Sequence, residues 1–409
     1  MKKIILISES SLFLVTFNFL LLTCDATEPP PTKPPGYQED IAWPSLDEVW
    51  PMHRGNPQCN GRSKFAGPTN YPIRCWIIEF PTYPDNNQSF LSHVISRDSI
   101  IYTISYSDTS GTGSALYAID FSGNLKWKYP LSHYKNTSPP ILNSEGNIYV
   151  GEKNGNILCL TNKGEIIWQL KLPTNINNAM NVGLDGTIYC FASDGNLYAV
   201  SKNGNIIWTQ NLNEGGSRYT TIMLSPDGNS IYIASNTFFA LNLTGEIKWQ
   251  FNKNGATFYI TPMIDSQGNI YIYSETSETD YNGIICFYPS GEIKYIYKPN
   301  SEIGSDLTID KDGNIYFGVV DHLISLNYEG KLRWEIGINA YTASLVSDLN
   351  GVIYFVSFDK ILYAIDSNGF VLWSKTVEGL CPQSPAISKN GHLVIGTVRG
   401  VGKYLYCYK

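Results

Sequence analysis

The chain has 409 residues, a formal net charge of −7 and a pI near 5.3. No run of Lys and Arg offers a footprint for phosphate backbones, so a nucleic-acid-binding class is excluded. A chain this long ordinarily divides into two or more domains, unless a repeat array grows by adding units rather than by thickening one core.

In chain order, residues 1–26 read as a secretory signal: Lys2 and Lys3, an apolar stretch Leu12–Leu22, then a small-residue exit at Cys24-Asp25-Ala26. The apolar run is too short to span a bilayer, so no transmembrane segment is expected. Two other readings are a buried N-terminal helix and a bacterial periplasmic lipoprotein. For the latter, Leu21-Leu22-Thr23-Cys24 approaches a lipobox, with Thr a poor fit before the Cys. Residues 27–42 are Pro-rich and predict an extended, solvated spacer. The folded part is expected over 43–409, secreted or lumenal and monomeric.

Pro72–Phe80 predicts a strand that carries Trp76 and has no partner upstream. From there a pentapeptide recurs with a period of about 40 residues, the length of a propeller blade. Its copies end at Trp127, Trp168, Trp208, Trp249, Tyr295, Trp334 and Trp373, each led by a Gly where a hairpin turn needs positive φ. The aliphatic residue two after the Gly and the aromatic four after it share one face of a strand. Ahead of each copy lie strands such as Leu116–Asp120 and Leu362–Asp366. Ahead of those come Gly-led strands such as Gly146–Val150, then short apolar segments such as those opening at Ser138 and Ser384. Four short strands joined by tight turns make one antiparallel sheet.

The last repeat supplies three strands, Ser384–Ser388, His392–Gly396 and Lys403–Tyr408, and no fourth. Joining them to Pro72–Phe80 gives an all-β, eight-bladed β-propeller of four-stranded antiparallel blades, closed by pairing an N-terminal strand with three C-terminal strands. Closure leaves no exposed sheet edge between the ends.

Seven cysteines follow the leader. Cys159, Cys286 and Cys407 stand where Ala118, Ala199, Ala240 and Ala364 stand in other repeats, and read as small packing residues. The sewn blade lays Cys407 beside Cys75, a candidate disulfide; Cys59 and Cys381, both just ahead of eighth-blade strands, are a second candidate pair. Glycosylation sequons stand at Asn87, Asn136 and Asn242, the last two expected to be exposed. The search for chemistry returns negatives: no Cys-x-x-Cys, no His-Glu-x-x-His, no Gly-x-Ser-x-Gly, and five histidines without metal-ligand spacing. Asp310-Lys-Asp312-Gly313-Asn314 suggests a calcium loop but lacks its later Glu and reads as the ordinary hairpin turn of the repeat.

Ala118-Ile-Asp120-Phe-Ser-Gly123-Asn-Leu-Lys-Trp127 and its counterpart Ala364–Trp373 resemble the tryptophan-docking motif of the pyrroloquinoline-quinone (PQQ)-like, quinoprotein-type propellers. Trp50–Arg62 is similar to the segment that leads into such domains. The resemblance implies that Trp76, Trp127, Trp168, Trp208, Trp249, Tyr295, Trp334 and Trp373 dock between blades and bond back to the repeat. It also implies two kinds of function. The enzymes of the family are alcohol or sugar dehydrogenases holding PQQ and calcium over the central channel, often beside two adjacent cysteines; none here are adjacent, and no calcium-ligand set maps onto this chain. The non-enzymatic members are partner-binding scaffolds of similar length. The expectation is therefore a non-enzymatic scaffold for a protein or glycan ligand, with no catalytic, cofactor or metal residue assigned and a PQQ-dependent dehydrogenase as the alternative. A third reading is carbohydrate binding at aromatic-rich faces, with Tyr219, Phe258, Tyr259 and Tyr341 just ahead of inner strands as candidates. An insertion in the fifth repeat, Ser274–Asn282, is a further candidate contact surface, with a solvated loop as the plainer reading.

Overall fold

The structure, a computed structural model, describes residues 49–80, 92–105, 114–132, 138–176, 179–214, 221–253, 258, 260–276, 278–342, 344–381, 383–399 and 402–409. The expected leader and spacer, together with Asn87, Asn136, Tyr219 and Tyr259, lie outside these residues. Among the described residues there are eight four-stranded antiparallel sheets and no α-helix, hence no helix long and apolar enough to cross a membrane.

Seven blades are each cut from one continuous stretch, with strands a to d running outward from the channel. In the second blade these are Ile141–Leu142, Ile148–Gly151, Asn156–Leu160 and Ile166–Lys171. Strands a, b and c are buried throughout because neighbouring blades cover both faces. Strand d alternates between exposed and half-buried residues, as an outermost strand with one covered face must.

The turns are made by side chains as much as by backbone. Asn143 accepts from the backbone N–H of Glu145 and Asn147 at 3.0 and 2.8 Å, while Gly146 takes φ 78° and donates to the Asn143 carbonyl. A side-chain-capped turn closed by a left-handed residue explains the Gly that recurs at this point; the first blade has Ser99 there instead, at φ 62°.

Across each continuous blade runs a row of three residues: Tyr on strand b, a small residue on c and the aromatic on d. Tyr149 pairs with Cys159 and Cys159 with Trp168; Tyr316 pairs with Ser325 and Ser325 with Trp334. The small residue lets the flanking rings meet, with Tyr149 and Trp168 centroids 5.7 Å apart. That is the packing reason for Ala, Cys or Ser on strand c.

The eighth blade is sewn from both ends of the folded chain. Strands Ala386–Ile387, Leu393–Arg399 and Gly402–Tyr408 supply a, b and c, and Arg74–Phe80 supplies d. Ile73 and Lys409 exchange both backbone hydrogen bonds, at 2.8 and 2.9 Å. The row here reads Val394, Cys407, Trp76, with valine where the other blades have tyrosine. The register slips between Arg74 and Trp76, so Cys75 falls in a bulge.

Candidate functional site

The centre of the ring is occupied by the chain itself. Segment Trp50–Arg62 contacts the inner strands of seven blades in succession. Trp50 exchanges backbone bonds with Ile95, and the carbonyl of Pro51 accepts from Leu142. The carbonyl of Pro57 accepts from Leu224 and from the Asn181 side chain, and that of Gln58 accepts from Ile264. Thr308 donates to the Asn60 carbonyl at 2.9 Å, and Arg62 bridges Ser347 in parallel. A short strand inside a ring leaves inward backbone groups that must be paired, and the plug pairs them.

Arg54, fully buried, is the hub of the plug. Its guanidinium donates to the carbonyls of Cys59 at 3.3 Å and Leu345 at 2.8 Å, and also to the Leu307 carbonyl and the Ser344 hydroxyl. Asp306 lies 3.8 Å away and accepts from the Thr261 backbone at 2.7 Å and from Ser344 Oγ at 3.1 Å. Ser384 joins through Ser344 at 2.6 Å, so one network ties blades five to eight to the plug. Two details of the backbone make room for it. Arg54 itself has φ 61°, and a Cβ on Gly61 would come within 2.7 Å of the Arg54 guanidinium.

Burial sets the protonation of the hub. It drives the His53 pKa from 6.5 down to about 4, against the pull of Asp306. Burial also pushes the Cys59 thiol up to about 12, outweighing the nearby Arg54. Beside these groups a cavity of about 10 Å³ remains, lined by Trp50, His53, Arg54, His93, Pro139, Gln383 and Ser384. That is room for about one water molecule. A neutral imidazole, a protonated thiol and an arginine already bonded on all sides make a structural keystone rather than a nucleophile with its base.

At the rim, each docking indole bonds to the next blade. Trp127 donates to the Asn162 carbonyl, Trp168 to Lys202, Trp208 to Leu243, Trp249 to Pro289 and Trp334 to Ser367, all at 2.9–3.0 Å. Each ring lies on the turn Gly two residues further on; a Cβ on Gly204 would sit 2.7 Å from Trp168. Trp76 of the sewn blade bonds Phe121 in the same way. Tyr295 covers Gly330 but has no indole N–H to donate. Trp373 faces the blade that has no c–d turn, and the Pro68 carbonyl takes the turn's place at 2.9 Å.

The remaining candidates divide. Asn242 is half-buried rather than exposed, because its side chain holds its own turn: it accepts from Thr244 and Glu246 and donates to the Glu246 carboxylate at 2.7 Å. Phe258 is buried against Phe238, and Tyr341 packs edge-on against Phe358 at 5.0 Å, so both fill loops. The insertion Ser274–Asn282 folds back as a 3-10 turn, Thr279–Tyr281, with Tyr281 against Phe251 and beneath Lys253. Tyr281 thus packs on the fourth blade, while Glu275 and Asp280 of the insertion stay exposed.

All seven described cysteines are free thiols. Cys59 and Cys381 are not brought together: the plug carries Cys59 into the apolar cluster of blades four and five, where it meets Ile222, while Cys381 lies with blades seven and eight. Cys75 and Cys407 are unbridged but adjacent, and His392 stands with them; ligand atoms of the three lie within 4.8 Å of one another. No spacing in the chain points to His392 in this group, since its proximity depends on the bulge at Cys75.

The family model described as outer membrane protein assembly factor BamB matches residues 111–257. No curated protein matches the sequence. BamB from Moraxella catarrhalis is a structural neighbour at 14% identity and TM-score 0.61, covering 83% of this chain and 98% of that one. The quinohemoprotein alcohol dehydrogenase ADHIIG from Pseudomonas putida HK5 aligns at 13% identity and TM-score 0.69, covering 90% and 81%. The quinohemoprotein alcohol dehydrogenase from Comamonas testosteroni aligns at 12% and 0.64, covering 88% and 80%. The chain thus resembles this PQQ-type group of propellers in repeat and in fold. At these identities the likeness is one of fold alone.

Proposed function

We propose that this protein is a non-enzymatic propeller scaffold that binds a partner protein in an extracellular or lumenal compartment. The observation that carries the reading is the plug: Trp50–Arg62 runs through the channel and bonds to its inner strands, and the cavity beside Arg54 has room for about one water. What the molecule offers to others is its outside. Outer strands of the neighbouring second and third blades expose Ile166, Ile167, Ile206 and Ile207, each between 44% and 54% accessible. Paired aliphatic residues on an exposed strand are unusual unless something covers them.

The test immobilises the purified propeller and captures secreted proteins from the host's own medium, beside a variant carrying Ile166→Ser, Ile167→Ser, Ile206→Ser and Ile207→Ser. A partner retained by the native protein, competed by soluble propeller and lost in the variant supports the reading. The alternative is tested in parallel by titrating PQQ and calcium with alcohol or aldose substrates and a dye acceptor. Stoichiometric binding with dye reduction would replace the scaffold reading with a quinoprotein dehydrogenase.

A further inference from the structure

We propose that Cys75, Cys407 and His392 form a zinc(II) site that staples the two ends of the ring together. The three come from different parts of the sewn blade. Cys75 sits in the bulge of the N-terminal strand, Cys407 opposite Trp76 on the C-terminal strand, and His392 in the turn just ahead of strand b. Their ligand atoms already lie within 4.8 Å of one another. A zinc centre with Zn–S of about 2.3 Å and Zn–N of about 2.0 Å draws such atoms closer by about 1 Å. Cys75 is exposed and in an irregular stretch of strand, so a side-chain rotation there supplies the movement.

The chemistry of the donor set points to a thiophilic ion. Two thiolates and an imidazole suit zinc, with the fourth position open to water on the exposed side of Cys75. His392 is already oriented: its Nδ1 meets the Ser388 hydroxyl at 3.3 Å, leaving Nε2 as the ligating nitrogen. A hydrogen bond of this kind to the second ring nitrogen is the usual support of a metal-bound histidine. Phe121 of the first blade covers the imidazole, with ring centroids 5.1 Å apart. Binding forms two Zn–S bonds and one Zn–N bond and releases two thiol protons to solvent. The product carries no net charge, so neighbouring Lys409 and Arg74 do not oppose it.

Among the described residues the three ligands come together in this blade alone, for a packing reason. Cys159 and Cys286 occupy the register of Cys407, but each is flanked by a strand-b tyrosine, Tyr149 or Tyr271. Those phenols reach the a–b turn, as Tyr271 does to Asp265 at 2.9 Å and Tyr149 to Asn143 at 3.0 Å. In the eighth blade Val394 removes the phenol, Ser388 replaces the Asx residue, and His392 enters the space.

The experiment uses the full chain, purified reduced and metal-free. Cobalt(II) titration is expected to give thiolate-to-cobalt charge-transfer absorption saturating at one equivalent, displaced by zinc, and zinc alone is expected to raise Tm by several degrees. Cys75→Ser and His392→Ala should each weaken binding by about 100-fold or more while keeping the native circular dichroism. Cys159→Ser should bind as the native protein does. No charge-transfer band, or an unchanged titration in Cys75→Ser, would overturn the proposal. So would a Cys75–Cys407 disulfide in the isolated protein, found by non-reducing peptide mapping, because it uses the same two sulfurs.

Discussion

The hub and the rim close the same ring by opposite means. At the rim, seven indoles each make one bond outward from their own blade, six to the turn of the next blade and Trp373 to the Pro68 carbonyl that stands in for one. At the hub, one arginine reaches into several blades at once, and nothing duplicates it. A repeated device loses a fraction of its effect when one copy fails. A device present once loses all of it. The ring should therefore weaken gradually from outside and abruptly from inside, and the following measurements test that asymmetry in descending order of effect.

Arg54→Met should cost about 3–5 kcal/mol in urea unfolding, because it leaves the Asp306 carboxylate buried without its cation. Adding Asp306→Asn should recover a substantial part; recovery of nothing would mean that the carbonyl contacts, not the charge pair, carry the hub. Next is the pH dependence of His53. The unfolded imidazole takes a proton near pH 6.5, while the folded one resists protonation until about pH 4. Stability is thus full above pH 6.5 and falls as pH drops toward 4, by at most about 3 kcal/mol. His53→Gln should flatten that part of the stability curve.

Rim substitutions should be smaller. Trp168→Phe removes the bond to the Lys202 carbonyl and should cost about 1 kcal/mol. Trp373→Phe tests the seam, since its acceptor is Pro68 rather than a turn. A cost within about 0.5 kcal/mol of the Trp168 variant would show the substitute acceptor to be equivalent. The smallest effect is a gain: Tyr295→Trp should add the missing indole bond and stabilise by about 0.5–1 kcal/mol.

The rim was legible in the sequence and the hub was not, for one reason. Trp, Gly and the small strand-c residue recur at fixed spacing, so strand alternation alone puts them on one face and fixes blade count and closure. Segment Trp50–Arg62 occurs once, and its seat depends on donors and acceptors from seven blades that become neighbours only when the ring forms. The cysteines show the same boundary. The adjacency of Cys75 and Cys407 followed from strand order, but Cys59 was read by its closeness in sequence to the Trp76 strand, whereas the plug carries it across the channel. Asn242 was read as an exposed sequon because its turn is on the surface. Its side chain does there what Asp120 does in the first blade, accepting two backbone N–H groups.

The sewn blade also has a consequence in time. On the ribosome the strand Arg74–Phe80 emerges early, but its partner Gly402–Tyr408 is the last piece of the fold to be made. At ordinary elongation rates the wait is on the order of half a minute. During it the nascent chain holds an unpaired strand that carries Trp76 and Ile77 and a plug without a channel, both open to wrong partners. Arg74–Phe80 stays unpaired until Gly402–Tyr408 is made, so the yield of folded protein rests on whatever shields that strand in the interval.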